Sequence, residues 1–363
     1  MAYTTIDNPE LYFQTKIYTG DGNDNRAITF DGSENMSPDW VWIKSRSHAT
    51  WHNVYDSVRG ANKSLASNAN NAQESRSDTM DSFDSNGFTV GNDTSQSPNG
   101  LNTNASCYTY VAWCWKAGTT SGINTTSSTI THIGYSFNQT SGFSIVRYHG
   151  NETAGAKIPH GLNQKPAMII LKNLNNTEQW CVYHHKNTSE PATDYLLLDN
   201  TSATADTNVV WNDTEPDTVN VTLGGNDIVN KNGEDLVGYI FAEKQGFSRF
   251  ASYQGNSNAN GSFIWCGFSP SFIMVKKTNE TDSADWLILD NKRDTYNPRD
   301  SHLDANQADA ESSATWVYCD FLSNGFKWRA NDETHNESGS TYIFMAFAYS
   351  PFVNSNGIPN NAV

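Results

Sequence analysis

Internal repetition constrains this chain more than any other feature, because a pattern that recurs at domain-sized intervals calls for several copies of one fold. Three stretches share a layout: Tyr18-Thr-Gly20 leading to Pro38-Asp-Trp-Val-Trp-Ile-Lys44, Tyr148-His-Gly150 leading to Pro166-Ala-Met-Ile-Ile-Leu-Lys172, and Tyr253-Gln-Gly255 leading to Pro270-Ser-Phe-Ile-Met-Val-Lys276. Each has a Tyr-x-Gly, a gap of 14 to 17 residues ending in Pro, and five positions, mostly large and apolar, closed by Lys. A second strand opened by tryptophan follows in each: Trp51-His-Asn-Val-Tyr55, Trp180-Cys-Val-Tyr183 and Trp286-Leu-Ile-Leu289. A polar stretch then begins after Leu65, Leu198 and Leu303. The turn signal Ser85-Asn-Gly-Phe88 recurs as Ser323-Asn-Gly-Phe326, while the middle copy carries Val219-Asn-Val-Thr-Leu-Gly-Gly225 instead. Each copy closes on an apolar run: Tyr110 to Trp115, Leu236 to Phe241 and Tyr342 to Phe347.

These runs are too short for buried helices, lack a 3.6-residue period, and are bounded by Gly, Pro, Asn and Asp, so they predict strands. Their continuous apolarity predicts strands covered on both faces. The spacing of the closing lysines, 128 and then 104 residues, exceeds that of solenoid or propeller repeats and suits a free-standing sandwich. The fold expected is all-β, with three tandem β-sandwich repeats of lectin-like or jelly-roll-like type. The expected divisions are an N-terminal extension (1–15), a first repeat (16–118), a Thr/Ser/Gly linker (119–141), and second and third repeats (142–246 and 247–363). The first linker reads as flexible and the junction Gly246-Phe247 as tight.

A net charge of −16 repels a phosphate backbone, and with no basic stripe against that field the sequence predicts no nucleic-acid partner. No window approaches the roughly 20 apolar residues that span a bilayer, so membrane insertion is not expected. No basic-then-apolar leader is evident at Met1 to Asn8. Cys107, Cys114, Cys181, Cys266 and Cys319 are odd in number, widely spaced and without a C-x-x-C, which predicts reduced, mostly buried thiols.

The chemistry-bearing residues read as structural. Asp21-Gly-Asn-Asp-Asn25 begins like a calcium loop but has Arg26 at the sixth position and Gly32 at the twelfth, so it reads as a hairpin turn. In a strand, His184 and His185 point to opposite faces and cannot chelate together. Asp56-Ser-Val-Arg59 and Asp290-Asn-Lys-Arg293 share a D-x-x-R spacing, read as an ion pair pinning the loop, where the middle copy has His185 and Lys186. Lys44, Lys172 and Lys276 read as snorkelling or ion-paired parts of the fold. No catalytic residue, cofactor or metal site is expected, and the chain is read as a non-enzyme. Aromatic rings in polar contexts, Trp211, Trp316, Trp328 and Tyr296, are the candidates for stacking on a ligand, because the apolar face of a sugar suits such a platform.

At Trp40-Val-Trp-Ile-Lys44, Tyr55-Asp-Ser-Val-Arg-Gly60, Tyr110 to Gly118, Gly161-Leu-Asn-Gln-Lys-Pro166 and Asn176 to Tyr183, the chain resembles a family of tail-fibre-like virion structural proteins of marine tailed bacteriophages. The resemblance implies a bacteriophage virion protein, a tail fibre or host-attachment component, assembled in the host bacterial cytoplasm. The partners it implies are other virion proteins and a host cell-surface glycan or receptor. A homo-oligomer with multivalent contact follows as an expectation. A capsid decoration or tail-adaptor protein is the alternative, and a polysaccharide depolymerase the more distant one.

Overall fold

The computed structural model describes residues 2–92, 94, 100, 102–282 and 284–361. Short apolar runs separated by Gly, Asn, Asp and Pro form strands almost throughout, and the helices are single turns such as Asp227–Asn230 and Glu333–Asn336. The strands make antiparallel sheets of two to seven strands.

Three major sheets contain the long strands. The first runs Phe13–Thr19, Thr109–Trp115, Trp40–Ser45, Asn53–Asp56. In the second, Phe143–His149, Asp235–Phe241, Met168–Asn173 and Cys181–His184 stand in that same relative order, and in the third Ser248–Gln254, Thr341–Pro351, Phe268–Lys277 and Leu287–Asp290 do. Each closing strand therefore lies between the first and second strands of its own stretch of chain. Small sheets cover one face of each: Arg26–Thr29 with Gly87–Val90 and Met80–Asp84, Ala156–Pro159 with Asn220–Leu223, and Phe263–Trp265 with Gly325–Trp328 and Cys319–Leu322. Separate apolar clusters fill the space between each small sheet and its major sheet, giving three β-sandwich-like packings.

The opposite faces of all three major sheets meet in one further core, which holds Trp40, Trp113 and Trp115 from the first, Phe143, Tyr239 and Phe241 from the second, and Phe250, Phe272 and Phe347 from the third. Trp40 stacks on Tyr239 with ring centroids 4.7 Å apart, Phe13 sits 5.8 Å from Phe272, and Phe241 lies 6.0 Å from Phe347. This two-sided burial explains the unbroken apolar runs, since alternation is lost when neither face meets water.

The Tyr-x-Gly signal has a physical cause. Tyr18, Tyr148 and Tyr253 each donate from the phenol to a backbone carbonyl, of Thr103, Val229 and His335. The next residue in each case, Asn104, Asn230 or Asn336, is buried and donates its side-chain amide to two carbonyls while accepting from the N–H of Asp21, Asn151 or Asn256. Gly20, Gly150 and Gly255 pass so close to this clamp that a Cβ would come within 2.1 to 2.2 Å of a carbonyl oxygen.

Four expectations need correction. The segment 119–141 is no free linker, because His132–Asn138 pairs along Phe143–His149 and Thr119 bridges to Phe137. Part of the extension 1–15 is also built in: Ile6 lies in the shared core, Phe13 starts a strand, and Thr4 donates to the Gln245 carbonyl. The counterpart of Trp180 and Trp286 is His52, not Trp51, because each immediately precedes the corresponding strand, Asn53–Asp56, Cys181–His184 or Leu287–Asp290. The leucine facing that strand is Leu196 in the middle stretch, opposite Val182, not Leu198. Cys114, Cys181, Cys266 and Cys319 are buried free thiols, and Cys107 is an exposed one.

Candidate functional site

The polar chemistry of the molecule concentrates where one major sheet meets the next. Asp56, His184 and Asp290 end the strands Asn53–Asp56, Cys181–His184 and Leu287–Asp290 of the three major sheets, and each reaches the closing strand of the following sheet. Asp56 accepts from the Tyr239 hydroxyl at 2.7 Å, His184 meets the Phe344 carbonyl at 3.2 Å, and Asp290 accepts from the Trp113 indole at 3.0 Å. The D-x-x-R pairs are the expected pins. Arg59 is clamped to Asp56, and Arg293 Nε lies 2.5 Å from Asp290, all four groups withdrawn from water. Burial pushes the Asp290 carboxyl up, but the adjoining Arg293 guanidinium outweighs it and holds the group below its ordinary value. Glu311 extends this network to Arg46 at 2.7 Å. In the middle stretch His184 takes the carboxylate's place, its Nδ1 accepting from the Lys186 N–H at 3.1 Å. Because the strand ends at His184, the two adjacent histidine rings come to 5.6 Å instead of facing apart.

A second set of contacts runs the other way round. Trp180 donates to the Ala66 carbonyl, Trp286 to that of Leu197, and His52 to that of Asp304. The His52 tautomer is fixed: Nδ1 accepts from the Trp42 indole at 2.8 Å, so Nε2 carries the proton. Lys44, Lys172 and Lys276 are buried, and their ammonium groups point at backbone carbonyls such as those of Ser45, Glu178 and Ala284 rather than at carboxylates. Burial pushes these amines down, to about 7, 8 and 7. Neither snorkelling nor an ion pair describes them.

The four aromatic candidates are not brought together. Trp211 and Trp328 are core residues, 1% and 0% exposed, with indole N–H groups bonded to the Asp194 carbonyl and the Tyr253 hydroxyl. Their polar sequence neighbours face water while the rings face inward. Trp316 is 37% exposed and packs edge-on against His302, and Tyr296 is 80% exposed. Three exposed aromatics escaped the sequence reading: Tyr349, and Phe263 and Trp265 on the outward positions of a short strand, with Arg249 over the Trp265 ring at 5.0 Å. For Phe263 and Trp265, alternation around buried Ile264 was the available signal.

Clefts open beside the turns that carry these pins. One, about 560 Å³, lies between the second and third major sheets and is lined by Lys186, Asn187, Thr204, Ser252, Thr278 and neighbouring polar groups. Asn187 is buried; its side-chain carbonyl accepts from Thr204 at 2.8 Å, while its amide nitrogen has no partner among the described residues. A buried donor without an acceptor costs about 1–3 kcal/mol, which a ligand hydroxyl would recover. A cleft of similar size, about 550 Å³, lies between the first and second sheets, but its Asp39 carboxylate is already engaged by Ser57, Ser136 and the Ala117 N–H. Of these two clefts, the first thus offers a buried donor to spare. Among the described residues, no group of three or more His, Cys, Asp or Glu side chains is placed to hold a metal ion. Among the same residues, no helix is long and apolar enough to cross a membrane.

The fold and its clefts define an all-β, sandwich-like protein with polar junctional grooves. The chain belongs to the family described as Domain of unknown function (DUF7483), which matches residues 8–351. No curated protein and no solved structure matches it.

Proposed function

We propose that this chain is a non-enzymatic surface protein of a bacteriophage particle, made of three tandem β-sandwich repeats closed around one another. In this reading it serves as a tail-fibre or host-attachment component that meets cell-surface glycan or protein by multivalent contact. The sequence strings that resemble tail-fibre-like virion proteins motivate the setting, and the common strand order and the recurring Tyr–Asn clamp support the triplication. The single observation that carries the contact role is the hydroxyl- and amide-lined cleft with the orphan Asn187 donor. Such a lining suits a neutral polyhydroxyl ligand, whose hydroxyls both donate and accept. Modest single-site affinity becomes useful when a homo-oligomer on the particle presents several clefts at once.

The test is binding of the purified protein to host envelope polysaccharide by isothermal titration, with Asn187→Ala as comparison. Binding that weakens roughly tenfold in the variant, at unchanged melting temperature, is the expected result, a loss of about 1.4 kcal/mol. Absence of binding to polysaccharide and to whole host cells would reject the contact role. The exposed Phe263 and Trp265 favour a second reading, a capsid decoration or tail-adaptor protein that cements neighbouring subunits. Gold-tagged antibody on intact particles separates tail from capsid and tests the virion location directly.

A further inference from the structure

A smaller pocket of about 180 Å³ lies beside the turn that follows Asp290, close to where the third major sheet meets the first. Its lining includes Arg299, Lys292, Ser269, Asn291, Thr295 and Tyr349. Arg299 differs from every other buried arginine among the described residues. Arg59 and Arg293 are clamped to aspartates, and Arg76 lies 3.6 Å from Asp78 and 3.8 Å from Glu74. Arg299, only 2% exposed, makes no ion pair among the described residues, and its Nε has no hydrogen-bond acceptor.

The guanidinium is held in place all the same. The backbone of Arg299 bridges Cys319 in both directions, at 2.8 and 3.0 Å, its Nη1 donates to the Asp294 carbonyl, and its cationic carbon sits 4.4 Å from the centre of the Phe321 ring. The nearby carboxylates are otherwise engaged. Asp290 serves Arg293 and Trp113, Asp294 accepts from Ser301 and the Asp300 N–H, and Asp320 lies 3.4 Å from Arg329. Lys292, at the rim, is 3.5 Å from Asp31 and otherwise adds positive charge. A buried cation without a counter-charge is costly to retain, and an anion delivered to it forms charge-assisted hydrogen bonds in a low-dielectric setting.

We infer that this pocket binds a small oxyanion: a carboxylate, sulfate or phosphate, free or carried on a sugar. The size fits one such group with at most a single ring attached, being below the roughly 300 Å³ at which drug-sized pockets begin. Ser269, Asn291 and Thr295 supply hydroxyl and amide groups around the anion, and the half-exposed Tyr349 offers a face on which an attached ring can rest. The site stands independently of the glycan cleft, because it rests on Arg299 and not on Asn187.

Isothermal titration of the full chain with sodium sulfate, inorganic phosphate, glucuronate and glucose tests it. The expected result is one-site binding of at least one oxyanion and none of glucose, with tighter binding of glucuronate than of the free ions pointing to an acidic sugar and the reverse to a free ion. Lys292→Ala should weaken the binding roughly tenfold by removing the rim charge, and Arg299→Gln should abolish it. Should Arg299→Gln fail to fold, Lys292→Ala and Thr295→Val, both at less buried positions, still read the site. Lack of binding by every oxyanion, or binding indifferent to these substitutions, overturns the inference.

Discussion

Asp56 and Arg59 show how much a single pair can matter in this molecule. Both are withdrawn from solvent, and Tyr239 of the neighbouring sheet completes their hydrogen bonding. Replacing one partner strands the other in a low-dielectric junction, so Asp56→Ala should cost about 3–5 kcal/mol, measured as a shift in urea midpoint at constant slope. Histidine carries the corresponding pH dependence. Burial pushes His160 down to about 4 and His184 to about 3. Since their folded values lie below the unfolded value of 6.5, the stability they confer is present above pH 6.5 and is lost as pH falls through the folded values. For His160 the full effect is about 3 kcal/mol. A His160→Gln variant should therefore show a shallower loss of stability between pH 6.5 and 4 than the parent, by chemical denaturation at several pH values.

At the scale of elements, the junction between a first strand and its closing segment is fixed by glycine. A Cβ on Gly150 would meet the Lys231 carbonyl oxygen at 2.2 Å, and that carbonyl belongs to backbone that cannot swing away. Gly150→Ala should cost roughly 1–3 kcal/mol, visible as a lowered melting temperature, while Gly233→Ala, where no atom lies within 4 Å, should cost less despite its positive φ of 76°. The Tyr-x-Gly signal was legible in the sequence because the glycine and tyrosine are two residues apart. Its partners Asn104, Asn230 and Asn336 were not, being 80 or more residues downstream with nothing local to mark them. The same limit hid the strand His132–Asn138 inside a Thr- and Ser-rich stretch, where pairing to Phe143–His149 outweighs weak local preference.

For the whole molecule, the shared core has consequences that separate sandwiches would lack. Each major sheet contributes large rings to it, so removing residues 247–363 would strip Phe13, Trp115 and Phe241 of the rings of Phe250, Phe272 and Phe347 that pack on them. That truncation should bind a hydrophobic dye and lose near-ultraviolet ellipticity, whereas the intact chain should unfold in one cooperative transition followed identically by fluorescence and circular dichroism. Two independent transitions in the intact chain would show that the units fold apart. The clefts belong to this scale as well: the Lys186–Asn187 turn and Ser252 lie in different sheets and form a groove only because those sheets dock.

By itself, the sequence determined the all-β class, the strand runs and the D-x-x-R pins, since each rests on residues within a few positions of one another, and the reduced cysteines, which rest on their number and wide spacing. Only the tertiary structure decided what covers the second face of each major sheet, and with it which aromatic rings are spent. An apolar run states that a strand is buried without stating against what. Trp211, followed by Asn212 and Asp213, and Trp328, between Lys327 and Arg329, read as free because polar residues adjoin them, yet a strand or a single helical turn shows one side to water and the other to the core. Arg299 drew no notice for the opposite reason. Its distinction is a missing carboxylate, and a missing partner exists only once every other chain segment has been placed around it.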